Sequence, residues 1–195
     1  AAHILAQVLI GGAYSFPLLA VPFFMLAGEF MNAGGMTRRI ITMAMAWVGN
    51  IRGGLGYVAV MAAIVMASLS GSAVADTAAL ATVLVPLMRN AGYDINRSCG
   101  LIACGGIIAP VIPPSIPFVL FGALTSVSVA RLFLAGAIPG VIMGLGMMLA
   151  IWLMAGPRGL PKDRRANLRE IVLSFRAAFW PLLAPFIIIG GITTG

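Results

Sequence analysis

The sequence predicts an all-α, polytopic membrane protein with a re-entrant helical hairpin and a discontinuous helix, and three observations carry that prediction. Hydrophobic residues make up 61% of the chain and charged residues 9%, with a mean hydropathy of +1.07, whereas soluble domains carry about 25% charged residues. The cations Arg38, Arg39, Arg52, Arg89 and Arg97 and the cluster from Arg158 to Arg176 lie between apolar segments, as in cytoplasmic loops under the positive-inside rule. Two apolar runs are interrupted, one by the polar stretch Ser68 to Thr77 and one by three prolines in the six residues Ala109 to Pro114.

A chain of 195 residues has room for about five or six membrane segments, so residues 1–195 are expected to form one membrane domain. The net charge of +7 has no basic patch interleaved with aromatics, which argues against nucleic acid as a partner. Cys99 and Cys104 lie five apart on an expected helix, where side chains diverge, so they are expected to be buried free thiols. No cleavable signal peptide is evident. The chain begins Ala1-Ala2-His3 and stops at Gly195 within an apolar stretch, and is expected to be a piece of a longer protein.

Residues 1–52 read as an approach segment, a first spanning helix and a connector. His3, Gln7, Tyr14 and Ser15 punctuate the approach; Leu18 to Met36 forms the spanning helix, opened by Pro17 and closed by Asn32, Gly34 and Gly35, which suit a helix C-terminus. Residues 40–50 are a weakly polar connector.

Residues 53–89 form the predicted re-entrant hairpin. Its apolar arms, Gly54 to Leu69 and Thr77 to Met88, hold 16 and 12 residues, or about 24 and 18 Å of helix, against a hydrocarbon core of about 30 Å. Neither arm spans alone. A re-entrant path also keeps Arg52 and Arg89 on one side, whereas a single crossing would separate them. The polar tip then falls near the membrane interior, where irregular backbone persists only if protein or a water-filled cavity covers it.

Residues 94–124 form the broken helix, capped by Asp94 and interrupted by Pro110, Pro113 and Pro114, which remove backbone donors and clash with the preceding turn. Ser126, Ser128 and Arg131 follow as an outer interfacial stretch. Residues 136–155 span again, and Gly136, Gly140 and Gly144 give a smooth stripe for close helix packing. Residues 157–180 are a basic cytoplasmic loop followed by an interfacial helix with Phe175, Phe179 and Trp180. Residues 181–195 begin a further spanning helix.

Each interruption sets a helix C-terminus against a helix N-terminus, the negative and positive ends of two macrodipoles. Paired breaks at similar depth point to a transport site. Unwound carbonyls with the Ser70 and Ser72 hydroxyls offer all-oxygen ligation for a hard cation such as Na⁺, and the N-termini restarting at Thr77 and Ser115 suit an anionic group. Helix capping within the bundle is the rival reading of Ser70 and Ser72. Asp76, an ionisable residue at this depth, is a functional candidate by default. An N-cap, a contributor to the cation field and a proton carrier all suit it. The first two together are favoured, because the positive end of a helix dipole favours a charged carboxylate. Glu29 reads as an interfacial or helix-terminal acid, Asp94 and Asp163 as solvated. His3 stands alone, which gives no support to a metal cluster or catalytic dyad.

The stretches Pro22 to Glu29, Ser70 to Ala78, Gly105 to Pro110, Ile112 to Pro117, and Leu132 to Gly136 followed by Pro139-Gly140 together make the chain resemble the large membrane subunit of tripartite ATP-independent periplasmic (TRAP) transporters. The resemblance covers nearly the whole chain and implies its N-terminal half, one inverted-repeat half of an elevator-type ion transporter fold. It further implies a multi-pass subunit of the bacterial inner membrane, importing with Na⁺ a carboxylate solute delivered by a periplasmic binding protein. C4-dicarboxylates, keto acids and sugar acids remain open as solutes, and a small membrane subunit is an implied partner. Position by position, the resemblance places the sodium ligands at Ser70 and Ser72 and at backbone oxygens around Ala109, Ile112 and Pro114. Gly71, Asp76 and Pro113 are assigned to organising that site, and Thr77 and Ser115 to the solute; no cofactor beyond the coupling ion is expected.

Three other functions compete. A stand-alone divalent-anion/sodium symporter shares the paired breaks, and a structural membrane subunit would need no site. An intramembrane hydrolase is disfavoured, since only His3 could serve a serine nucleophile and Asp76 has no second intramembrane aspartate. No enzymatic activity is expected.

Overall fold

The computed structural model describes residues 16–158 and 166–194, and every regular element among them is an α-helix. In chain order these are α1 (Phe16–Ala33), α2 (Met36–Val48), α3 (Gly54–Ser70), α4 (Ala73–Asn90), α5 (Ile95–Gly106), α6 (Ile116–Thr125), α7 (Val129–Arg158) and α8 (Leu168–Thr194). The expected approach segment, except for its final residue Phe16, and most of the basic loop lie outside the described residues.

The centre of the bundle is α3. Of its 17 residues, 12 are buried, so it is enclosed on nearly every side, as a helix that is apolar all round requires. Its composition permits this: Gly54, Gly56, Ala59, Ala62, Ala63 and Ala67 are small, so neighbouring backbones can come close. Val58, Met66 and Leu69 of α3 pack with Ile40 and Ile41 of α2, with Leu80, Leu84 and Met88 of α4, and with Ile102 of α5. A second cluster joins Ala67 to Ile108, Ala109 and Ile112, with Met143 and Met147 of α7 against it. This second cluster supports the proline-rich interruption.

The glycine stripe of α7 faces these same elements. A β-carbon on Gly136 would lie 2.6 Å from the Val111 carbonyl oxygen, one on Gly144 would lie 2.6 Å from Ile64 Cδ1, and one on Gly140 would collide with Ile112. By contrast, nothing lies within 4 Å of such a carbon on Gly146. The close packing expected of the stripe is therefore present, and its partners are the interruption and α3.

Several boundaries differ from expectation. The connector over 40–50 belongs mostly to a 13-residue helix, α2, whose Ile40, Ile41, Met43 and Ala44 are buried; this apolar face outweighs the scattered polar residues. The hairpin arms are longer, 17 residues in α3 and 18 in α4, because Ser70 continues one helix and the polar residues after Ser72 already belong to the next. At about 1.5 Å per residue they reach roughly 26 and 27 Å, still short of about 30 Å. Arg131 lies in the first turn of α7 instead of a separate interfacial stretch. Residues 168–194 form one helix through Pro181 and Pro185, where an interfacial helix and a new span were expected. Its Phe175 stacks on Trp47 of α2, with ring centroids 6.3 Å apart. Cys99 and Cys104 are free, as expected, but exposed; the face of α5 that enters the core is that of Ser98, Ile102 and Gly105.

Two described helices contain stretches long and apolar enough to cross a membrane, Val129–Ala155 and Leu168–Ile188. The expected first spanning segment, Leu18 to Met36, corresponds to α1 over Phe16–Ala33; it stops short of the expected end because Gly35 takes a left-handed conformation and Met36 opens α2.

Candidate functional site

The two interruptions meet. Between α3 and α4 only Gly71 and Ser72 are non-helical, and the link between α5 and α6 runs over residues 107–115. Gly71 has φ +59°, and a β-carbon there would sit 2.7 Å from the Pro114 carbonyl oxygen and 3.0 Å from Ser115 Cα. Glycine is thus required twice at this point, for the left-handed turn and for the backbone-to-backbone approach.

On the tip side, the Ser70 hydroxyl donates to Asp76 Oδ1 at 2.6 Å and accepts from the Ser72 N–H at 3.1 Å. One lone pair of Ser70 Oγ remains. The Ser72 hydroxyl accepts from the Ala75 N–H at 3.4 Å, which makes Ser72 the N-cap of α4. Asp76 is therefore not the cap it was expected to be. It sits one turn into α4, and the cap position falls to the last residue with extended backbone, Ser72 at φ −111°. The capping reading thus holds for Ser72, while Ser70 is tied to Asp76. Ser68, the first residue of the polar stretch, donates to Val65 O of its own helix.

Asp76 is 1% exposed. Its Oδ2 has no hydrogen-bond partner, an expensive condition for a buried carboxylate oxygen. On α1, Gly28 packs against Ser70, with a β-carbon there lying 3.1 Å from Ser70 Cβ. The next residue, Glu29, is exposed. Without a side chain at Gly28, α1 can reach the tip.

The other wall is the interruption. The Ile108 carbonyl accepts from the Val111 and Ile112 N–H groups, and the Pro110 carbonyl accepts from Ser115 Oγ at 2.6 Å. Among the described residues the Ala109, Ile112 and Pro114 carbonyls accept no hydrogen bond. Proline at 110, 113 and 114 withholds three N–H donors from this stretch, which leaves its carbonyls in surplus. The Pro113–Pro114 bond is cis, and Ala109, Pro114 and Ser115 are buried.

The two residues expected to face a solute are engaged within the protein. Thr77 Oγ1 donates to Ala73 O at 2.6 Å, and its side chain packs on Gly106, where a β-carbon would overlap it. Ser115 gives its hydroxyl to Pro110 and forms the N-cap position of α6 with its backbone. Any anion at these helix starts would meet backbone N–H groups in place of the hydroxyls.

Among the described residues no cluster of histidine, cysteine and carboxylate side chains is placed to hold a metal ion. The donors assembled here are hydroxyl, carbonyl and carboxylate oxygens, the set suited to a hard cation.

The described residues are all-helical and strongly apolar, with two helices long and apolar enough to cross a membrane and two interruptions in contact, the make-up of a helical membrane protein. Residues 1–195 match the family described as "Tripartite ATP-independent periplasmic transporter, DctM component", and the chain belongs to that family. It is 57% identical over 193 residues to the 2,3-diketo-L-gulonate TRAP transporter large permease protein of Escherichia coli (strain K12), covering 99% of this chain and 45% of that protein. It is 43% identical over 190 residues to a sialic acid TRAP transporter large permease protein of Vibrio cholerae, covering 97% and 44%. It is 44% identical over 180 residues to a C4-dicarboxylate TRAP transporter large permease protein of Pseudomonas aeruginosa, covering 92% and 42%. These relatives are named as permease proteins, not enzymes. The chain spans about half the length of the curated relatives it matches.

Proposed function

We propose that this chain supplies one cation-binding half of a Na⁺-coupled permease subunit of the bacterial inner membrane, importing carboxylate solutes delivered by a periplasmic binding protein. A small membrane subunit completes the transporter. The observation that carries this reading is the contact of Gly71 with Pro114 and Ser115, which sets the Pro114 carbonyl of the interruption against the tip that holds Ser70, Ser72 and Asp76.

In this reading Ser70, Ser72 and the carbonyls of Ala109, Ile112 and Pro114 hold Na⁺, which supplies a positive charge between two otherwise separate walls. Asp76 acts mainly on position. By accepting the Ser70 hydrogen bond it leaves a Ser70 lone pair for the cation, and its own charge offsets that of the cation. The α3–α4 pair is a re-entrant hairpin, since neither helix reaches across a hydrocarbon core, and the unit from α3 to α6 moves as a body in an elevator-like cycle. The three relatives are named for diketogulonate, sialic acid and C4-dicarboxylate transport, all carboxylic acids. The free N–H groups at the starts of α4 and α6 suit that chemistry.

Na⁺-driven uptake by the intact transporter in liposomes tests the reading. Asp76→Asn removes a charge-assisted hydrogen bond worth about 1.5–3 kcal/mol, and should raise the half-saturating Na⁺ concentration about tenfold or more. An unchanged Na⁺ dependence would remove Asp76 from the site.

A further inference from the structure

A cavity lies away from the tip, at the opposite ends of the hairpin helices. It has a volume of about 280 Å³ and is bounded by the start of α3, the end of α4, the start of α5 and the end of α7. Its walls are apolar, with Gly56, Met88, Leu101, Ile151 and Met154 among them, and its polar lining is confined to the stretch Tyr93 to Ser98. We propose that this cavity binds one acyl chain of an anionic phospholipid whose phosphate is held by Arg97.

The chemistry of the lining favours that occupant. Asp94 Oδ1 is occupied by the Arg97 N–H at 2.9 Å, as the cap of α5, and the Ser98 hydroxyl donates to the Asp94 carbonyl at 2.8 Å. Arg97 is exposed and is the cation of the lining, the group that can meet an anion. Arg52 precedes the lining residue Gly53, and Arg89 follows the lining residue Met88; both are exposed. Three arginines against the single Asp94 leave a local excess of two positive charges. A soluble anion would find no polar partner along the apolar walls, and a neutral hydrocarbon would leave the cations unused. An amphiphile with one alkyl chain and a phosphate uses both. The volume lies just below the usual range of ligand pockets, about 300–1,000 Å³, which suits one narrow alkyl chain and not a bulkier ligand. Basic pockets between membrane helices on the cytoplasmic side bind anionic headgroups.

This inference rests on the proposed membrane orientation, in which Arg52, Arg89 and Arg97 are cytoplasmic, but it does not depend on Na⁺ coupling. The intact permease, purified in mild detergent, is titrated with phosphatidylglycerol, phosphatidylcholine and glycerol 3-phosphate, and bound species are resolved by native mass spectrometry. The first phosphatidylglycerol should bind more tightly than phosphatidylcholine. Arg97→Gln should weaken it about fivefold, the equivalent of roughly 1 kcal/mol for one arginine near a lipid headgroup, and Leu101→Trp should weaken both lipids by filling the cavity. Arg39→Gln, an exposed arginine outside the lining, should change neither. Equal losses in Arg97→Gln and Arg39→Gln, or a phosphatidylglycerol preference that survives Arg97→Gln, would overturn the assignment. Displacement of the lipid by glycerol 3-phosphate would overturn it in favour of a free-anion site. Because binding is measured in detergent, its failure is separable from a failure of the orientation, which side-specific labelling reads independently.

Discussion

Replacing Gly71 with alanine acts directly on the contact between tip and interruption, and its cost has two parts that can be separated. The residue has φ +59°, and a left-handed conformation costs an L-residue roughly 1–2 kcal/mol. Gly92→Ala shares that cost, since Gly92 has φ +82° and no atom lies within 4 Å of the added carbon. The second part belongs to Gly71 alone. Its new β-carbon would lie 2.7 Å from Pro114 O and 3.1 Å from the Ile116 nitrogen, both backbone atoms that cannot rotate aside. A carbon–oxygen contact relaxes to about 3.3 Å, so the walls must part by about 0.6 Å, beyond the ~0.5 Å within which a binding constellation has to be held. The assay is the thermal unfolding midpoint of the intact permease in NaCl and in choline chloride at equal ionic strength. Stabilisation by a bound ion follows its affinity, and a tenfold loss of affinity is about 1.4 kcal/mol, or roughly 1.5 °C of the Na⁺-dependent gain for a permease about twice the length of this chain. Gly92→Ala should lower both midpoints and keep the gain between them, whereas Gly71→Ala should lose most of that gain. If both variants keep the same Na⁺-dependent gain, the two interruptions do not build the ion site.

Cysteines introduced at Arg52 and Arg89 should both react with an impermeant thiol reagent from the cytoplasmic side; reaction from opposite sides would make residues 53–89 a single crossing. Along α7, Gly140→Ala should destabilise the permease by about 1–3 kcal/mol, the usual cost of overpacking, because the added methyl meets Ile112. Gly146→Ala adds the same methyl where nothing lies within 4 Å, and should be neutral or slightly stabilising. Similar unfolding midpoints for the two variants would show that the stripe is not held against the interruption.

The sequence by itself determined the helical class and the positions of both interruptions. Apolar runs, prolines and the Asp94 cap are local signals, and local backbone physics acts on them directly: three prolines in six residues end a helix wherever it lies, and Asp94 does accept from the Arg97 N–H. Arm length and the cap of α4 were only partly legible, because Ser70, Ser72 and Asp76 are all competent caps and only the backbone angle at Ser72 decides among them. Nor could spacing show that Phe175 would stack on Trp47, that Cys99 and Cys104 would face outward, or that Pro181 and Pro185 would sit within one continuous helix.

The tertiary structure alone decided that Gly71 rests on Pro114, that Gly28 lets α1 reach the tip, and that Thr77 and Ser115 spend their hydroxyls inside the protein. These are contacts between segments tens of residues apart, set by which small residues let two backbones approach. The proposed ligand types are therefore written in the local sequence, but the meeting of the two interruptions is written in a glycine, Gly71, that offers no side chain at all.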